Sequence, residues 1–344
     1  MPDERDTTVE WYRRFATLEA RGASPLYERL ASGVASDHEV LRLLFELPPA
    51  KRQPNLLFAA VRYVTGTPSG YDDFRRSLLE HREAVVATML ARRTQTNEPA
   101  RCAALYPLLA ALPQPLALLE AGASAGLCLL PDRYAYTYDL PGGPAHDRAS
   151  PGRPARVDEG HVTGAVDSPL RLRCQVEGVP PPHLAHPGPI TVAWRSGIDL
   201  NPLDVDDPDD VRWLRTLIWP EQRERLHRLE AAMDLAREDP PPIVRGDLND
   251  RLADVAAQAP PHATLVVYHT AVLYLMPGEG RAAFTQQLAR LGCHWISQET
   301  ESVLPQVTAR LPRRPPTDAV MYVLALDGQP AAFSAMHGGR LRWL

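Results

Sequence analysis

The hydrophobic rhythm of this chain changes at Pro113-Gln114-Pro115, and that break constrains the fold more than any other feature. Before it, Val9–Ala20, Pro25–Gly33, Asp37–Leu47, Gln53–Val64, Tyr71–Ala91 and Ala100–Ala111 carry apolar residues at i, i+3 and i+4. That is the stripe an amphipathic helix buries. Pro48-Pro49, Gly66-Thr67-Pro68 and Gly70 punctuate them, and Ser36-Asp37-His38-Glu39 has the spacing of a capping box led by Ser36. After the break, short apolar runs alternate with helical stretches. Leu116–Ala121 is too brief for a helix and runs into Gly122-Ala123-Ser124-Ala125-Gly126, with a helix predicted over Leu127–Tyr134. Tyr134–Tyr138 then reads as a further strand.

From Pro189 the alternation resumes: strands at Ile190–Trp194, Ile243–Arg245, Thr264–Tyr268 and His294–Ser297, helices at Asp209–Glu238, Leu252–Gln258 and Glu279–Leu291. Ala319–Leu326 and Ala331–Met336 flank Asp327-Gly328, a hairpin signal, and Leu341–Trp343 lies beyond. Apolar strands alternating with helices predict an α/β fold, a mostly parallel sheet closed by an antiparallel hairpin. The expected organisation is an N-terminal helical domain, 1–112, and a sheet domain, 113–344. An irregular Pro/Gly-rich insertion is expected at about 140–189, holding one strand-like piece, Leu170–Val176. Proline is abundant, 35 of 344 residues, and clusters at these inferred boundaries.

Charge narrows the partners. A net charge of −5 argues against duplex nucleic acid, which calls for clustered positive charge. All but one of the 37 basic residues are arginine, Lys51 being the exception. The charged stretch Arg212–Arg228, with Trp213 and Trp219, reads as a solvated helix face whose arginine stems cover aromatics. No apolar run is long enough to cross a membrane, and the charged Met1–Asp6 lacks the core of a secretory leader, so a cytoplasmic location is expected. Cys102, Cys128, Cys174 and Cys293 are scattered and read as reduced thiols. No metal site is expected: His183 and His186 stand in a Pro-rich loop without partner ligands. The expected partner is a small molecule or another acceptor.

The turn at Glu120–Gly126 admits three readings. It can be a packing turn that needs small residues. It can be a cofactor loop, with Gly122 and Gly126 admitting a ligand, Ser124 between them, and Glu120 offering a carboxylate to an ammonium or a ribose. Or it can be a G-x-S-x-G nucleophile elbow with Ser124 as nucleophile, served by Asp247 and by His269 or His337. The elbow fold places strands upstream, where this chain reads helical, and no H-G-G-G oxyanion motif precedes the turn.

Glu120-Ala121-Gly122-Ala123-Ser124-Ala125-Gly126 resembles motif I, E-x-G-x-G-x-G, of the S-adenosylmethionine-dependent methyltransferases, with serine at the middle glycine. Leu118–Tyr134, Thr94-Gln95-Thr96-Asn97-Glu98 and Gly197-Ile198-Asp199-Leu200-Asn201-Pro202-Leu203-Asp204-Val205 together look like a family of uncharacterised bacterial proteins. That family has a helical N-terminal part and a methyltransferase-like Rossmann part. The resemblance implies S-adenosylmethionine as cofactor and methyl transfer as activity, and a lid role for Thr94–Glu98, which by composition is an exposed loop and helix cap.

Two carboxylates compete for the ribose. Asp139 ends Tyr134–Tyr138, 19 residues after Glu120, the spacing such a carboxylate takes; Asp199 is favoured by the resemblance. Asp247 closes Ile243–Arg245, where methyltransferases often contact the adenine, although a helix cap explains it as well. His269 and Thr270 follow the cleanest strand, where a histidine is placed to act as a general base. Thr270, Tyr274, Gln298 and Glu299 are candidates for the substrate side. A non-catalytic methyltransferase-like scaffold remains the third reading, since no D/N-P-P-Y motif follows Thr264.

Overall fold

The computed structural model describes residues 4–139, 161–185, 187–316 and 320–344. The chain divides into two compact units, one of residues up to Thr96 with Asp206–His227, the other of Asn97–Val205 with Arg228–Leu344. The division falls at Thr96, ahead of Pro113, and the first unit takes a segment from the middle of the chain.

The first unit is helical: α1 (Glu4–Arg14), α2 (Pro25–Val34), α3 (His38–Phe45), α4 (Pro54–Thr65), α5 (Tyr71–Glu80) and α6 (Arg82–Ala91). Asp37, not Ser36, caps α3, its carboxylate accepting from the Glu39 and Val40 amides at 2.9 and 3.1 Å. Phe58 is the hub of the core, its ring meeting those of Tyr12, Phe15, Tyr27 and Phe74 at 5.0–6.1 Å. Aromatic pairs at these separations add to plain area burial. Trp219 from the distant segment packs on Phe15 and Tyr27, and Arg62 donates to the Thr216 and Ile218 carbonyls. Glu221 accepts from the Ser24 hydroxyl and the Leu26 amide.

The second unit contains α7 (Cys102–Ala110), which the sequence placed in the helical half, then β1 (Leu116–Ala121), β2 (Ala135–Asp139), β3 (His161–Gly164), β4 (Arg171–Glu177) and β5 (Val192–Asp199). Asp209–Glu238 is two helices, α8 (Pro208–Leu217) in the first unit and α9 (Arg223–Glu238), whose residues from Arg228 onward belong to the second. Then follow β6 (Ile243–Arg245), α10 (Leu248–Ala256), β7 (Thr264–Thr270), α11 (Gly278–Leu291), β8 (His294–Glu299), α12 (Pro305–Thr308), β9 (Met321–Leu326), β10 (Gln329–Ala335) and β11 (Arg340–Trp343).

The strands form one mixed sheet in the order β3-β2-β4-β11-β10-β9-β8-β7-β1-β5-β6. The run β6-β5-β1-β7-β8 is parallel; β9, β10 and β11 alternate antiparallel beyond it. The expected mostly parallel α/β arrangement closed by a hairpin is present, and Asp327 and Gly328 at the hairpin tip have φ of 50° and 73°. Positive φ at both central residues is what a type I′ turn demands.

The strand after the Gly122–Gly126 turn, β2, lies between β3 and β4, away from β1. The neighbours of β1 are β5 and β7. The helix expected over Leu127–Tyr134 is replaced by two 3₁₀ turns, Leu127–Leu129 and Pro131–Arg133. Leu127, Leu129, Leu130 and Pro131 are all buried, so this stretch has no polar face for a helix to present.

β1 is buried along its whole length. Leu119 and Ala121 point into a core shared with α10 and α11 through Leu252, Val255, Phe284 and Leu288. By strand alternation Leu118 and Glu120 face the other side, where Tyr268, the partner of Glu120 in register, donates its hydroxyl to the Cys128 carbonyl.

Candidate functional site

Chain order along β6-β5-β1-β7-β8 reverses at β1, since the connections from it lead to β5 on one side and β7 on the other. In open parallel sheets the crevice at such a reversal, outside the strands' carboxyl ends, is where ligands bind. Here those ends bring Glu120, the Ser124 turn, Asp199, Thr270, Gln298 and Glu299 to one edge.

The turn is tightly specified. Gly122, Ser124 and Gly126 have φ of 76°, 53° and 72°. A Cβ on Gly122 would lie 2.5 Å from Val272 Cγ2. Ser124 has no such freedom, and a left-handed non-glycine residue costs about 1 kcal/mol or more. Its surroundings hold it there. The Ser124 amide donates to Asp199 Oδ2 at 2.8 Å, its hydroxyl accepts from Asn97 Nδ2 at 2.8 Å, and the Ala125 amide donates to Asn97 Oδ1 at 2.9 Å. Ala271, directly after β7, is a second left-handed non-glycine residue, φ 56°, with its amide on the Gln298 carbonyl. Two left-handed non-glycine residues thus lie in the segments that follow the adjacent strands β1 and β7.

Every amide of the turn is committed. Those of Gly122 and Ala123 donate to the Ile198 carbonyl, that of Gly126 to the Ala123 carbonyl, and those of Ser124 and Ala125 to Asp199 and Asn97. With no α-helix following, neither free N–H groups nor a helix dipole await an anion.

Glu120 is the opposite case. It is 4% exposed, and its Oε2 is buried without a hydrogen-bond partner. Burial pushes its carboxyl well above the ordinary range, the Cys128 thiol nearby adds to this, the Arg101 charge opposes it, and Asp199 raises it further. Asp199 keeps its other oxygen on the Asn201 amide at 2.7 Å.

His269 is fully buried and has both ring nitrogens engaged. Nδ1 lies 2.8 Å from Glu299 Oε1, and Nε2 accepts from the Trp295 indole N–H at 3.0 Å. Acceptance at Nε2 puts the proton on Nδ1, so no lone pair is left to act as the general base expected from the sequence. Glu299 Oε1 also takes the Val272 and Leu273 amides, both at 2.8 Å. The pair braces the segment after β7. Thr270 accepts from Arg101 through carbonyl and hydroxyl. Gln298 is buried, its amide nitrogen on Ser334 and its oxygen without a partner. Tyr274 is half exposed.

Two sequence candidates stand apart. Asp139 ends β2 and pairs with Arg173 at 2.9 and 3.2 Å, separated from β1 by six intervening strands in the sheet order. Asp247 is exposed and caps α10 through the Asn249 amide. Asn97 and Arg101 are the residues that sequence reasoning missed. Thr94–Glu98 was noted as a polar interruption, but Asn97 and Glu98 are buried, and Glu98 receives Arg228 at 3.1 Å. The available signal for Arg101 was a lone arginine beside the apolar run Cys102–Leu105.

No curated protein matches the chain. A single family profile runs through almost all of it, residues 9–343, both units included. The chain belongs to that family, described as an uncharacterized protein conserved in bacteria (DUF2332).

Proposed function

We propose that this protein binds S-adenosylmethionine at the carboxyl ends of β1, β5 and β7 and is a Rossmann-like methyltransferase acting on an acceptor that reaches the same edge. The observation that carries the reading is Glu120, a buried carboxyl with an oxygen no group of the protein satisfies, set beside Asp199 where the strand order reverses. The parallel run β6-β5-β1-β7-β8 followed by the antiparallel β9-β10 supports the same reading.

The residues present fit such a ligand. Glu120 Oε2 can receive an ammonium, and Asp199 retains lone pairs for ribose hydroxyls beyond those used by Ser124 and Asn201. The turn's committed amides would leave a dinucleotide's pyrophosphate without donors, whereas S-adenosylmethionine has no phosphate to place. The bound cofactor supplies an electrophilic methyl group on a sulfonium. The chain's own residues orient: Asn97 and Asp199 hold the Ser124 turn, and Arg101 ties the Asn97–Arg101 segment to the end of β7. Positioning of this kind is a large part of catalysis when the nucleophile needs no deprotonation.

A non-catalytic scaffold is the second reading, favoured by the closed hydrogen bonding of His269, which leaves β7 without a free base. The serine hydrolase reading receives no such support, because Ser124 Oγ is held by Asn97 and His269 serves Glu299 and Trp295.

Calorimetry with S-adenosylmethionine and its demethylated product tests the proposal. Binding is expected, weakened about tenfold or more in Glu120→Gln by loss of one charge-assisted hydrogen bond. No heat at millimolar ligand would end the reading. Binding without methyl transfer to any acceptor in a cell extract would move it to the scaffold.

A further inference from the structure

Arg101 is 4% exposed, yet its guanidinium meets only neutral acceptors. Nε donates to the Met336 carbonyl at 3.0 Å, and Nη1 to the Thr270 carbonyl and hydroxyl at 2.9 and 3.1 Å. Nη2 makes no hydrogen bond, and no carboxylate of the described residues pairs with the group. The other carboxylates of this edge have donors of their own: Glu299 has His269 and two amides, Asp199 the Ser124 and Asn201 amides. A buried cation without a counterion is costly, and so is a buried carboxyl without a donor. This edge keeps one of each. Glu120 closes β1, Arg101 is anchored at the end of β7, and β1 and β7 are neighbours in register. The two groups feel each other's charge without pairing, so the same edge presents an anion-seeking group and a cation-seeking group.

We infer that Arg101 and Glu120 form a receptor for an α-amino-acid head group, its carboxylate on Arg101 Nη2 and its ammonium on Glu120 Oε2. A zwitterion satisfies both groups at once, where a simple anion or cation would leave the other bare. The inference rests on the proposed function for one of its two sources only: the head group belongs either to the amino-acid part of S-adenosylmethionine or to a free amino acid.

The experiment is calorimetry on the full-length chain with four probes: S-adenosylmethionine, its decarboxylated form, 5′-methylthioadenosine and L-methionine, followed by a thermal-shift screen of the common L-amino acids. The cofactor arm expects the decarboxylated form to bind at least about tenfold more weakly, the effect of one charge-assisted pair. Arg101→Lys, checked for folding by circular dichroism, should weaken the parent compound by more than it weakens the decarboxylated form. Binding of a free amino acid with no adenosyl compound bound would sustain the receptor while ending the methyltransferase reading. Equal affinity for S-adenosylmethionine and its decarboxylated form would overturn the receptor and leave that reading standing. Silence from every probe would end both.

Discussion

Glu120 holds its proton more tightly in the folded chain than a solvated glutamate does, because burial disfavours the anion. The sign of the effect on stability follows by linkage. The native state binds the proton over a range where the unfolded chain has released it, so stability falls as pH rises from the unfolded value of about 4.3 towards the raised native one. Glu120→Gln removes that loss. Its melting temperature should exceed that of the parent chain at neutral pH, with the difference shrinking towards about pH 4. Calorimetric scans across that range check it, and a variant less stable than the parent at neutral pH would show that the orphaned oxygen has a compensating partner. The same substitution should weaken ligand binding, so stability and function are opposed at this residue, as happens where a site is kept strained for use.

The elements around the site are held by close approaches that differ in what can yield. A Cβ on Gly122 meets the side chain of Val272, whereas one on Gly338 would lie 2.1 Å from the Ala100 carbonyl oxygen. Gly122→Ala should cost about 1–3 kcal/mol from overpacking and from its positive φ. Val272→Ala should recover part of that loss by clearing the methyl groups. Gly338→Ala has no side chain to trim, so no second substitution in the Pro99–Arg101 turn should rescue it. Urea unfolding of the single and double variants measures both, and full additivity at Gly122 and Val272 would show that the clash is relieved elsewhere.

Such approaches mark the boundary of what sequence discloses. The strand at Leu116–Ala121, the left-handed turn after it and the Asp327-Gly328 hairpin are local, written in apolar runs and in residues that tolerate positive φ. The partner of β1 is not local. Spacing favours Asp139, 19 residues after Glu120, whereas Asp199 arrives beside β1 from a strand far downstream. His269 was placed at the correct strand end, but its role depends on Glu299 and Trp295, which lie on the following strand. Asn97 and Arg101 act through partners far along the chain, and no periodicity points to them.

At the scale of the whole molecule, the eleven-stranded sheet has a buried centre and short edges. Amide exchange should follow that gradient. Leu116–Ala121, enclosed between β5 and β7, should exchange slowest, and the three-residue edge strand Ile243–Arg245 fastest among the parallel strands. Hydrogen-exchange mass spectrometry reads this directly, and comparable protection in both strands would mean that the sheet opens as one piece. The two units also share a chain that passes between them after Thr96, Val205 and His227. Neither is therefore a continuous stretch of gene. A protein ending at Thr96 would leave Phe15 and Tyr27 without Trp219, and one beginning at Asn97 would carry Asp206–His227 as an internal segment without the helices it packs on. Splitting this protein into working halves thus demands a transplanted segment rather than a cut, and a natural fission of the gene at the obvious junction would yield two failures.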